Sequence, residues 1–164
     1  MQKLTTQLNE IKLVGIKAKA KTNNKAEGNS DTALITKTVQ EYFTKNIPGT
    51  INERKNPGKN FCVYYEYESD FNGDYSYFIG EEVTSFKNVD PSLTQIIIPT
   101  QSYTKFTNKL GKMPDVCINM WQNIWQMNKA ELGGERTYVA DFEIYDERSH
   151  NPENTILDIY IGIK

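Results

Sequence analysis

Apolar and polar positions alternate at the end of Ile11-Lys12-Leu13-Val14-Gly15-Ile16-Lys17-Ala18-Lys19-Ala20. A period of two is the mark of a strand with one wet face. A polar stretch from Thr22 to Asn29, with Asn-Asn and Gly-Asn, reads as a loop. Leu34, Ile35, Thr38, Val39, Tyr42 and Phe43 then recur with the spacing of one helical face. Ser30 or Asp31 is positioned to cap this helix, and Ile47-Pro48-Gly49 to end it. Beyond a polar loop over 52–60, Phe61–Glu68 reads as a strand from its aromatic and β-branched content. Asp70-Phe71-Asn72-Gly73-Asp74 reads as a turn and Tyr75–Val83 as the returning strand. The first half is therefore β-α-β-β.

The second half repeats that order. Leu93–Phe106 is a strand interrupted by Pro99, which belongs at an edge or a bend. Gly111–Asp115 is a loop with Pro114 near the start of a helix. That helix, Val116–Met127, carries Val116, Cys117, Met120, Trp121, Ile124 and Trp125 on one stripe, and Gly133-Gly134 closes the region. Tyr138–Asp146 is a strand, Ser149–Asn154 a hairpin loop, and Leu157–Ile163 the last strand. The halves also rhyme: Tyr65-Glu66-Tyr67-Glu68 sits in the same element as Phe142-Glu143-Ile144-Tyr145, and Phe78-Ile79-Gly80 mirrors Tyr160-Ile161-Gly162. The pattern predicts an α+β fold. It is a tandem β-α-β-β duplication with pseudo-two-fold symmetry, an antiparallel sheet, helices on one face and a central ligand crevice. One domain spans 1–164, with approximate halves 1–90 and 91–164.

Composition narrows the function. The 164 residues carry 19 Lys+Arg and 21 Asp+Glu, a net charge of -2. A nucleic-acid binder usually has a basic surplus, so direct nucleic-acid binding is not expected. The longest apolar run, Ile96-Ile97-Ile98, is far short of a membrane span, and MQKLTTQLNE has no signal-peptide core. Cys62 and Cys117 have no metal-ligand spacing, and a reducing, cytoplasmic setting is expected. Ten tyrosines are the compositional oddity. Tyr fills amphipathic strands, and it also lines surfaces that grip flat, partly polar molecules.

Few residues offer chemistry. The one histidine, His150, lies in a polar loop without a Cys or His cluster, so neither a metal nor a catalytic triad is expected. Asp70–Asp74 lacks the distal glutamate of a calcium loop. Without a glycine-rich phosphate loop, no nucleotide cofactor is expected. The carboxylates say more. Alternation places Phe142 and Ile144 on one face of their strand, and Asp141, Glu143 and Tyr145 on the other. If Phe142, Ile144, Ile159 and Ile161 pack under the helices, Glu143, Tyr145 and Tyr160 share the opposite face. That face is solvated surface in a simple two-layer fold, and a crevice lining if the halves face one another. A glutamate among tyrosine rings is then a site for a flat cation, held by charge and by cation–π attraction. Trp121 and Trp125, four residues apart on one helix, are core packing, a wall of that crevice, or both.

The chain resembles the GyrI-like small-molecule-binding domain, also called the AraC-type effector-binding domain. The resemblance is carried by Leu13-Val14-Gly15-Ile16, Ile98-Pro99, Tyr103-Thr104-Lys105-Phe106 and Trp121-Gln122-Asn123-Ile124-Trp125. Most specific are Asp141-Phe142-Glu143-Ile144-Tyr145-Asp146 and Asp158-Ile159-Tyr160-Ile161-Gly162-Ile163-Lys164. It implies a stand-alone module for hydrophobic or cationic small molecules. Glu143 would be the charge partner, with Tyr65, Tyr103, Tyr145, Tyr160, Trp121 and Trp125 as the aromatic wall. Gly162 stands where the family often has Pro. Many relatives fuse this module to a helix-turn-helix domain, for which this length leaves no room, so direct transcription control is not expected. Two other activities occur among stand-alone relatives. One is hydrolysis of reactive small molecules, with Glu143 as general base; the other is a protein-interaction role of the gyrase-inhibitor kind.

Overall fold

The chain, described over residues 1–164 in a computed structural model, turns its alternating segments into eight strands of one antiparallel sheet. In chain order the elements are β1 (Gln2–Leu8), β2 (Ile11–Lys17), α1 (Asn24–Glu27), α2 (Ile35–Thr44), β3 (Asn60–Tyr65) and β4 (Ser76–Glu82). They continue with β5 (Thr94–Ile98), β6 (Gln101–Thr107), α3 (Asp115–Gln126), α4 (Lys129–Leu132), β7 (Ala140–Tyr145) and β8 (Asp158–Ile163). Short 3₁₀ turns cover Ile47–Thr50 and Glu147–Ser149. The α+β class and the antiparallel sheet are as the sequence pattern predicts.

The strand order, β1-β6-β8-β7-β3-β4-β2-β5, dictates the shape. Six strand spacings of about 4.8 Å separate β1 from β2 in that order, yet only Asn9 and Glu10 connect them. The chain from Leu8 to Ile11 reaches at most about 11 Å. Pro99 and Thr100 join β5 to β6 under the same constraint. A flat sheet is excluded, and the two edges curl toward each other. Gly15 and Gly80, paired across β2 and β4, help the strands close up. A Cβ at Gly15 would run into the Ile79 carbonyl oxygen, and one at Gly80 into that of Val14.

Leu93–Phe106 is thus two strands that pair in different halves, β5 with β2 and β6 with β8 and β1, and Pro99 stands at the bend. β1 carries only Leu4 and Leu8 as apolar side chains, so its sequence gives no alternation signal. It forms because β6 offers it seven paired residues. α2 has no capping side chain of its own at Ser30 or Asp31. The Glu27 carboxylate accepts from the Leu34 and Ile35 amides at 2.9 and 3.0 Å instead. α4, whose N-terminus Asn128 and Glu131 hold in a capping box, falls in a stretch that gave no helical signal.

The expected side of β7 is reversed. Phe142 pairs with Tyr160, and Glu143 with Ile159. Phe142, Ile144 and Tyr160 therefore face away from the helices, into a core with Phe61, Val63, Phe78 and Leu13 enclosed by the curl. Glu143, Ile159 and Ile161 face the helices. Both faces of β7 are buried, so its apolar alternation does not mark the helix side. On the helix side, α2 packs over β2 and β4 in a cluster that includes Tyr42, Tyr77 and Ile79. α3 packs over β6 and β8 through Met120, Trp121 and Ile124. Between the two helices, β3 and β7 are left as the floor of a cleft.

The floor carries the internal symmetry. Cys62 pairs with Glu143 in the β3–β7 register. Phe61-Cys62-Val63-Tyr64 and Phe142-Glu143-Ile144-Tyr145 are thus related by a local two-fold through that pair. The expected alignment on Tyr65–Glu68 shifts because the chain leaves the strand at Glu66, whose φ is 51°.

Candidate functional site

β7 delivers Glu143 to the middle of the cleft floor, where it is only 3% exposed. Oε1 accepts from Tyr64 Oη at 2.8 Å, Trp121 Nε1 at 2.7 Å and Cys117 Sγ at 3.4 Å. Oε2 accepts from Tyr145 Oη at 2.8 Å. Tyr64 and Tyr145 are the two-fold equivalents described above, so each half supplies one phenol to a single carboxylate. Trp121 and Cys117, four residues apart on α3, close the ring from above.

All four partners are uncharged. The buried Arg136 is committed to Asp141 at 2.7 Å, and the part-exposed Arg148 to Asp146 and Asp158 at 2.9 and 2.7 Å. Burial, reinforced by the charge of Glu143, pushes the Tyr64 and Tyr145 phenols well above their usual range. They stay protonated and act as donors. The same two causes raise the Cys117 thiol, which makes it an inert donor rather than a nucleophile.

A cavity of about 660 Å³ opens over this floor. Ile35, Val39 and Phe43 of α2 form one wall, and Met113, Cys117 and Ile118 around α3 the other. Tyr77, Cys62, Tyr145 and Glu143, all on the sheet, line the base, and Arg54, Glu81 and His150 also border the cavity. A second space of about 190 Å³ shares Ile35, Tyr64, Cys117 and Ile118 with it. That space is lined by Tyr67, Phe71, Tyr75, Trp121 and Trp125. The Phe71 and Trp125 rings lie nearly parallel there, 6.1 Å apart. The whole is large enough for a drug-sized molecule, apolar along its walls and polar at chosen points.

The structure brings together Glu143, Tyr145 and Trp121, and sets Trp125 in the adjoining space. Tyr65, Tyr103 and Tyr160 lie on the other face of the sheet. Tyr103 and Tyr160 pack with Phe142 at ring distances of 5.3 and 4.7 Å, and Lys17 sits over Tyr65. Tyr64, Tyr75, Tyr77 and Cys117 are at the site although the sequence pattern did not single them out. Cys117 was open to detection, since it lies one helical turn before Trp121. Tyr64 was not, because its side depends on the β3–β7 register.

The comparisons with known proteins follow the same lines. A family model described as "Cass2: Integron-associated effector binding protein" matches residues 5–163. The protein YobU of Bacillus subtilis (strain 168) is 26% identical over 128 residues, which is 76% of this chain and 76% of YobU. The integron cassette protein VCH_CASS2 of Vibrio cholerae has a similar structure, with a TM-score of 0.76 at 23% identity, covering 99% of this chain and 95% of that one. SAV2435, solved with tetraphenylphosphonium bound, gives a TM-score of 0.75 at 17% identity, covering 100% of this chain and 94% of its own. No helix here is long and apolar enough to cross a membrane. A match running from the first strand to the last, on a sheet that solved relatives reproduce, makes this chain a member of the Cass2 family of effector-binding proteins, with the GyrI-like small-molecule-binding fold.

Proposed function

We propose that the cleft binds lipophilic cations, with Glu143 as their charge partner. One observation carries the reading: a buried carboxylate on the floor of an aromatic cleft has only neutral hydrogen-bond donors around it. Burying an anion without a counter-charge is costly, and a ligand cation would relieve that cost. The rings of Tyr64, Tyr145 and Trp121 around the carboxylate supply faces for an aromatic or quaternary cation. Tetraphenylphosphonium in the structurally similar SAV2435 is a ligand of this class. Cytoplasmic residence fits the two free cysteines, and the net charge of -2 fits a module that does not itself contact nucleic acid.

Trp121 and Trp125 give the readout. Tetraphenylphosphonium should quench their fluorescence saturably, and Glu143→Gln should weaken its binding by about ten-fold or more. Neutral triphenylphosphine oxide should bind both proteins alike. Equal affinity of wild type and Glu143→Gln for the cation would overturn the charge role.

A further inference from the structure

The same cavity holds a second buried carboxylate. Glu81, on β4, is 1% exposed and lines the cleft together with Glu143. Its Oε1 has no hydrogen-bond partner in the protein. Its Oε2 is held only loosely, by Arg54 Nη1 and the Gly58 amide, each at 3.4 Å, near the outer limit of a hydrogen bond. Arg54 is itself partly exposed and arrives from the loop before β3. A carboxylate so under-partnered in a buried position is rare in a structural role, where such groups are normally saturated.

The register fixes its distance from Glu143. Glu81 pairs with Asn60, which pairs with Tyr145, and Ile79 pairs with Cys62, which pairs with Glu143. Glu81 therefore sits two strands across and two residues along from Glu143, on the same face. The α carbons are about 12 Å apart by ordinary sheet dimensions. Ile79, Cys62, Tyr145 and Asn60 make the floor between the two, so apart from the Asn60 amide, which accepts from Tyr42 Oη, the path from one carboxylate to the other is apolar or aromatic.

We propose that Glu81 is a second cation subsite, so that the cleft selects elongated dications with an apolar spacer between two positive centres. The proposal rests on the lipophilic-cation reading of this cleft and adds to it a preference for charge number. One ammonium sits against Glu143 among the phenols. The other lies at the Glu81 end of the cavity and is held by that carboxylate's charge, in competition with the Arg54 guanidinium.

The test compares hexamethonium and decamethonium with hexyl- and decyltrimethylammonium, by calorimetry, on wild type, Glu81→Gln, Glu143→Gln and Arg54→Ala. In wild type at least one dication should bind about ten-fold tighter than its single-headed counterpart. Glu81→Gln should bring that ratio to about one. Glu143→Gln should weaken both members of the pair. Arg54→Ala leaves the carboxylate in place and removes its competitor, so the ratio should rise; it keeps the test alive if Glu81→Gln does not fold. A wild-type ratio near one, a ratio unmoved by Glu81→Gln, or one that fails to rise in Arg54→Ala overturns the second subsite. In those cases weakening of the monocations by Glu143→Gln leaves the first reading standing. If no cation binds wild type, both fall.

Discussion

At the scale of single residues, the cleft holds two buried carboxylates that differ in their partners: Glu143 accepts from four neutral donors, and one oxygen of Glu81 has none. Glu143 is stabilised by phenol and indole donors, so removing one donor should be felt. Tyr145→Phe deletes the only partner of Oε2 and should lower stability by about 1.5–3 kcal/mol, read from urea unfolding. Saturating tetraphenylphosphonium should recover part of that loss, because the cation replaces the missing stabilisation of the carboxylate. An equal loss with and without the cation would detach Tyr145 from the binding site. Glu81 behaves differently. Burial raises its pKa above the usual 4.5, only partly opposed by the Gly58 amide and Arg54. A raised folded-state pKa means that the native protein holds this proton more tightly than the unfolded chain. Its contribution to stability is therefore fully present below about pH 4.5 and is lost as pH rises through the folded value. Glu81→Gln, neutral throughout, should unfold at a higher temperature than wild type at pH 7 to 8. That advantage should vanish on acidification below pH 4.5, as thermal melts across the range would record. An advantage that persists there would point to packing instead of charge.

At the scale of elements, the cleft's walls depend on how α2 and α3 are anchored. α3 brings its own anchor in the apolar stripe that the spacing predicts, and Trp121 serves as core residue and as donor to Glu143 at once. α2 borrows its N-terminal cap from Glu27, at the end of α1. Glu27→Ala should cost about 1 kcal/mol, the usual value of a lost cap, and should speed amide exchange at Leu34 and Ile35 before the rest of the helix. Unchanged protection there would mean that packing alone holds the wall. The two long helices, α2 and α3, and most of the strands were legible from periodicity, since 3.6- and 2-residue repeats reflect local geometry. β1, α1 and α4 were not: β1 is an edge strand whose partner supplies the pattern, and α1, inside the expected loop over 22–29, and α4 are four residues each, too short to show a repeat. The side of β7 was illegible for another reason. With both faces buried, alternation separates two sets of residues without saying which set the helices cover, and Tyr103 and Tyr160 follow from that choice.

At the scale of the whole molecule, duplication and exchange go together. The first strand of each sequence half pairs within the other: β1 with β6, and β5 with β2. β3 and β7 join the halves through six paired positions along the floor of the cleft. A fragment comprising residues 1–90 would lack the partners of β1, β2 and β3 at once, leaving three unpaired strand edges. Expressed alone, it should give no cooperative unfolding transition. A stable, cooperatively folding fragment would mean that the halves are domains in their own right. The cleft belongs to neither half, since Tyr64, Cys62 and Glu81 come from one and Glu143, Tyr145 and Trp121 from the other.

The sequence by itself determined the α+β class, the two long helices, the β-α-β-β order that follows the leading strand of each half and the strand bearing Glu143, because each depends on local periodicity and turn chemistry. Tertiary structure alone decided that Glu143 shares its face with Cys62 and Tyr64 instead of Tyr160, and that Glu81 stands in the same cavity. Those relations depend on cross-strand register and on the curl of the sheet. Pairings between residues eighty positions apart set both, and no short window of sequence encodes them.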